Sequence, residues 1–120
     1  MISRLRRWIG AFLAGLLVAL GFNVYGDAQV TVTWDDPTTN EDGTPLTDLA
    51  NIKIYRAGSD TLIATVGPGV ETFSEMRPDG EWCYYATAVD DDGNESVPSN
   101  TECKTIDTLL PGSPGNLRVD

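Results

Sequence analysis

The chain contains no histidine, only two cysteines, and 8 basic residues against 18 acidic ones in its 120. Without histidine it lacks the side chain most used for acid–base work at neutral pH and the commonest metal ligand. Scarce lysine and arginine exclude nucleic acid as a partner, because phosphate binding needs a basic footprint. The same deficit works against anionic lipid headgroups. Uninterrupted apolar sequence is also short: no run reaches the roughly 20 residues of a membrane-spanning helix. A length of 120 residues allows one domain at most. These absences point away from an enzyme and expect no cofactor, no resident metal and no catalytic residue.

What is present begins with an address. Arg4, Arg6 and Arg7 precede an uncharged stretch from Trp8 to Leu20. A basic start and a short apolar run, then small residues, make a secretory signal. Gly26 and Ala28 offer cleavage points, so residues 1–28 are expected to be removed. The other reading is an uncleaved anchor, extended by Phe22, Val24 and Tyr25, which would hold the protein at a membrane. Either way the remainder is exported: periplasmic, on the cell surface or secreted. From Asp27 onward 18 acidic residues face only Lys53, Arg56, Arg77, Lys104 and Arg118, a net −13 in place of the whole chain's −10.

The rest reads as β. No segment sustains a 3.6-residue period; short alternating runs between turn residues dominate. Residues 30–34 put Val30, Val32 and Trp34 on one face. A polar loop follows over 35–48, with Pro37, Gly43 and Pro45. Further strands are expected at 52–56, 61–66, 70–76, 82–89 and 99–106. Trp82, Tyr84, Ala86 and Ala88 share one face of the longest strand, where Trp34, Ile52, Ile54, Leu62 and Met76 can meet them as a core. Cys83, Tyr85, Thr87 and Val89 point the other way.

The stretches Trp34-Asp35-Asp36-Pro37, Asp42-Gly43-Thr44-Pro45-Leu46-Thr47-Asp48-Leu49 and Ile52-Lys53-Ile54-Tyr55-Arg56 resemble strands B and C of a bacterial or phage fibronectin type III domain. Residues 78–90 and 93–99 resemble its strand F and F–G turn. The resemblance covers about residues 29–106. It implies an all-β, immunoglobulin-like sandwich of seven strands, A, B and E facing C, C′, F and G. The family's B-strand tryptophan falls on Trp34. Its F-strand corner tyrosine falls on Trp82, which has no hydroxyl to make the corner bond.

Strand A has no counterpart before residue 29. Residues 111–120, Pro-Gly-Ser-Pro-Gly-Asn-Leu-Arg-Val-Asp, look like such a strand at the other end, with Leu117 and Val119 as its apolar positions. A nine-residue strand is about 30 Å long, and residues 107–113 span at most about 23–25 Å. Completing the sheet within one copy is therefore marginal, although a shorter or parallel pairing would reach. Donation to a second copy is easier, and a plain tail over 107–120 remains the simplest reading.

In the fibronectin type III frame, Cys83 and Cys103 each lie ten residues from Gly93, the centre of the F–G hairpin, which sets them opposite one another. Export permits a disulfide; a redox or metal pair is the alternative. Asp90, Asp91, Asp92, Asn94 and Glu95 suggest a calcium loop but lack the EF-hand spacing. The other reading is a turn with Gly93 at positive φ and Asn94 as its cap. Asp35, Asp36, Glu41, Asp42 and Asp48 crowd the earlier loop in the same way. Tyr55 and Tyr85, expected on the outer face of one sheet, are candidates for stacking on sugars or for simple cross-strand packing. The leading expectation is an exported, non-enzymatic module for adhesion or protein–protein contact, its partner an unknown protein or glycan. The alternatives are a structural subunit that self-associates head to tail through residues 111–120, and a carbohydrate-binding accessory domain.

Overall fold

The computed structural model describes residues 26–120. The expected signal segment therefore lies outside the described residues up to Tyr25. Among the described residues no helix is long and apolar enough to cross a membrane.

Alternating β-branched and aromatic residues separated by turns give six strands: β1 Ala28–Thr33, β2 Leu49–Arg56, β3 Thr61–Val66, β4 Thr72–Arg77, β5 Gly80–Asp90 and β6 Glu102–Ile106. They form two antiparallel sheets, β1-β4 and β3-β2-β5-β6. Val30 of β1 and Ile52, Ile54, Tyr84 and Ile106 of the larger sheet form one buried cluster. Val32, Trp34, Phe73 and Trp82 pack against it. The protein is thus all-β and sandwich-like, and Asp27–Asp107 is one compact unit holding every described strand. Thr108–Asp120 lies outside that unit, has no regular secondary structure, and leaves Leu117 and Val119 90% and 94% exposed.

Two expected core residues are not in the core. Leu62 is 46% exposed. The β2–β3 ladder slips between Ile54, opposite Ala64, and Tyr55, opposite Leu62. The extra residue, Ile63, packs against the core instead. One bulged residue reverses the alternation, and Leu62 joins Tyr55 on the outer face. Met76 is 56% exposed for a different reason. The inward positions of β4 are Phe73, Glu75 and Arg77, while Thr72, Ser74 and Met76 face out. β4 turns two charged residues inward because partners await them on the other sheet. Trp34 and Trp82 are half-buried at the margins of the core, and Ile52, Ile54 and Tyr84 are at its centre.

Candidate functional site

The inward charges of β4 organise one pole of the sandwich. Glu75 Oε2 accepts a hydrogen bond from Arg56 Nη2 at 2.7 Å and another from the Tyr84 phenol at 2.7 Å. Burial, followed by that hydrogen bond to a carboxylate, pushes the Tyr84 hydroxyl up to about 12. Charge-assisted bonds of this kind compensate the desolvation of a carboxylate that would otherwise be costly inside. Trp82 lies beside them, with the guanidinium carbon of Arg77 4.0 Å from its ring and that of Arg56 at 5.5 Å. The Nε of each arginine is buried without a hydrogen-bond acceptor. Attraction of the guanidinium charge to the indole face offsets part of that cost. The Trp82 indole N–H donates to the Pro78 carbonyl, four residues back, at 2.8 Å. Gly80, at φ 143°, makes the intervening corner, and its missing Cβ would lie 3.6 Å from the indole nitrogen.

The outer face of the larger sheet is the chemically richest surface. Tyr55 and Tyr85 are direct cross-strand partners. Their rings stack with centroids 5.0 Å apart and planes 12° from parallel. The Tyr55 hydroxyl donates to Glu95 at 2.6 Å and the Tyr85 hydroxyl to Asp60 at 3.0 Å. Thr87 Oγ1 also donates to Glu95 at 2.6 Å, and Lys53 Nζ lies 3.7 Å away. The bonds from Thr87 and Tyr55 hold the Glu95 carboxyl below its ordinary range. The same bond raises the Tyr55 phenol, whereas that of Tyr85 is raised first by desolvation and then by Asp60. Each ring spends one face on the other, so the pair stands as a fixed ridge with both hydroxyls engaged. Sequence placed the two tyrosines but not Asp60 or Glu95. Their only signal was position: the two acids sit in the turns at the ends of these strands.

Three carboxylates of the acidic loops, Asp36, Asp42 and Asp90, are committed to donors of the protein itself. Asp42 accepts from the amide and hydroxyl of Thr44 at 3.0 and 2.6 Å, which lowers its carboxyl range. Asp36 accepts from the Trp34 indole at 2.9 Å and the Gly69 amide at 2.7 Å. In the β5–β6 loop Gly93 has φ 85°. The cap there is Asp90, not Asn94: it accepts from the amides of Asp92 and Asn94 and from Asn94 Nδ2. The carboxylate is the better acceptor for three convergent N–H groups. Asp48, Asp90 and Asp92 each bring an oxygen within 4.8 Å of the others, with Asp90 already accepting three hydrogen bonds within its turn. Glu81 sits in the same way near Cys83 and Cys103, whose sulfurs are bonded to one another.

That bond joins direct partners on β5 and β6, Cα atoms 4.0 Å apart. It is consistent with an oxidising, exported environment. Between β1 and β6 runs a groove of about 560 Å³ whose charged members are Asp35, Glu102 and Lys104. Comparison with family models, with characterised proteins and with solved structures finds no match.

Proposed function

We propose that this chain is an exported, non-enzymatic contact module of the fibronectin type III kind, bacterial or phage in type. Its partner is another protein, met through the outer face of the larger sheet. The strand order supports the family reading: β1-β4 against β3-β2-β5-β6 matches B-E against C′-C-F-G. The Trp82–Pro78 bond supports it too, because in immunoglobulin-like sandwiches a corner tyrosine bonds back to the backbone a few residues upstream. Here an indole N–H makes the bond that a phenol makes there.

The observation that carries the function is the locked Tyr55–Tyr85 ridge. Tyrosine supplies large, amphipathic contact area at low entropic cost, and it is enriched where proteins meet. Glu95 and Asp60 hold both rings in place, so little ordering remains to oppose binding. A flat, pre-ordered face suits a protein surface better than a small substrate, which takes a concave pocket. Retention of the N-terminal segment would add a membrane tether without changing this face.

Adhesion of beads carrying the chain to bacterial cells tests the reading, with and without protease treatment of the cells. Adhesion that protease abolishes, and that falls at least tenfold on Tyr85→Ala, agrees with it. Adhesion abolished by free polysaccharide and insensitive to protease would assign the ridge to sugars instead. Adhesion unaffected by Tyr85→Ala would remove the ridge from the account.

A further inference from the structure

Among the described residues four strands face two in this sandwich, and each strand of the smaller sheet has one side without a partner strand. Among the described residues β1 pairs with β4 alone. The register says which groups the other side of β1 presents. Trp34 N–H donates to the Glu71 carbonyl, and every β1–β4 pair keeps that register. Antiparallel bonding alternates along a strand. Val30 and Val32, like Trp34, therefore turn their amides to β4, while Gln29, Thr31 and Thr33 turn theirs to the open side. A row of such groups is a template for another strand.

The side chains beside that row describe the same gap. The inner side chains Val30, Val32 and Trp34 form one wall of the 560 Å³ groove, and Tyr84 its floor. Glu102 and Lys104 of β6 form the opposite wall. They lie opposite Tyr84 and Trp82, hence on the inner face of their sheet, yet both are exposed. The space fits one extended strand that buries apolar residues at alternate positions.

We propose that residues 113–120 of a second copy of this chain fill that space, running antiparallel to β1. Leu117 and Val119 are two apart, so an extended backbone puts both on one face, with Arg118 on the other. They are 90% and 94% exposed and supply the apolar pair the groove lacks. Charge favours the same segment. Asp27–Asp107 carries 17 acidic and 4 basic residues, whereas Thr108–Asp120 carries one of each. The tail, whose charged side chains balance, approaches an acidic body with far less repulsion than opposes body against body.

Direction favours a second copy, because within one copy residues 107–113, at most about 23–25 Å when extended, would have to run almost straight from pole to pole. Ile106 ends β6 opposite Gly80, and Ala28 begins β1 opposite Arg77. Both therefore lie at the pole marked by the 77–80 turn. A strand antiparallel to β1 has to start at the far pole, beside Thr33, about 20 Å away. A tail arriving from another copy starts there directly. The contact is heterologous: each copy donates one tail and offers one edge, so assembly continues head to tail. Apart from Tyr85, which lines the groove as well as belonging to the ridge, it uses a different surface, and its test by oligomeric mass is read separately from that of the contact-module reading.

Light scattering of the full chain over a hundredfold concentration range tests the assembly, together with two variants. Leu117→Glu/Val119→Glu spoils the tail at exposed positions. Thr31→Pro removes an amide from the open side while leaving the β1–β4 ladder its bonds. The expected result is a mass that rises with concentration in the wild type, monomers for each variant alone, and a 1:1 complex when the variants are mixed. A wild type monomeric throughout, or a tail variant that still associates, overturns the proposal. So do two monomeric variants that form no mixed complex, which is what pairing within one copy would give. If Thr31→Pro does not fold, a synthetic peptide of residues 112–120 titrated into the tail variant decides. Saturable binding, lost when the peptide carries both Glu replacements, is expected; no binding overturns the proposal.

Discussion

Tyr84 and Glu75 belong to facing sheets and are joined by a 2.7 Å hydrogen bond from phenol to carboxylate. Arg56 binds the same oxygen from β2, so one pole of the sandwich is tied by a polar triad. The bond holds the proton on Tyr84 more tightly than the unfolded chain does, since the phenol is pushed up to about 12. Stability is accordingly full below the ordinary tyrosine value and falls as pH rises through about 10 to about 12. Urea titrations at pH 9 and pH 12 should differ by about 2–3 kcal/mol. Tyr84→Phe should start about 1–2 kcal/mol lower at pH 7 and lose less on going alkaline. The residual loss comes partly from Tyr55 and Tyr85, whose phenols are also raised.

Glu95 runs the opposite way. Its carboxyl is held low by bonds from Thr87 and Tyr55, with Lys53 alongside. The stability it adds is present above the ordinary glutamate range and is lost as pH falls through and below it. Glu95→Gln should lower the melting temperature at pH 7 and flatten the loss between pH 5 and pH 3. Equal acid sensitivity in the two proteins would show that the outer-face network adds nothing to folding.

The strands are legible because alternation and turn residues are local signals; the sheet assignment and the Cys83–Cys103 pairing follow from the family resemblance, which supplies the hairpin about Gly93. Leu62 and Met76 were not legible. Nothing in Thr61-Leu62-Ile63-Ala64 announces which residue bulges, and the bulge reverses the face of everything before it. Met76 was misplaced by treating apolar residues as inward; the choice between it and its neighbours Glu75 and Arg77 depends on Arg56, Tyr84 and Trp82, all distant in sequence. The ridge was half legible: the tyrosines follow from strand pairing, but Asp60 and Glu95 reach them from turns whose path alternation does not describe.

The disulfide closes a sequence separation of 20 residues. Chain entropy makes that worth about 3 kcal/mol. Reduction, or Cys83→Ser with Cys103→Ser, should lower unfolding free energy by about that amount without changing the far-ultraviolet spectrum of a β protein. A loss of β signal on reduction would mean that the edge strand β6 depends on the bond to stay paired with β5.

Trp82→Phe keeps an aromatic ring but removes the N–H that reaches the Pro78 carbonyl and the larger face against Arg77. The carbonyl loses its donor and the guanidinium keeps only a smaller ring, at a cost of about 1–3 kcal/mol. Chemical denaturation checks this. A neutral outcome would remove the corner bond from the factors that hold β5 to its turn.

The sandwich is unequal, and among the described residues one edge of β1 is unpaired. Amide hydrogen exchange along β1 tests it most directly, in dilute and in concentrated solution. The account predicts alternation when dilute, with Val30 and Val32 protected by β4 and Gln29, Thr31 and Thr33 exchanging quickly. Protection of those three on concentration would mark arrival of a second copy's tail. Uniform protection along β1 in dilute solution would contradict the open edge and the assembly built on it.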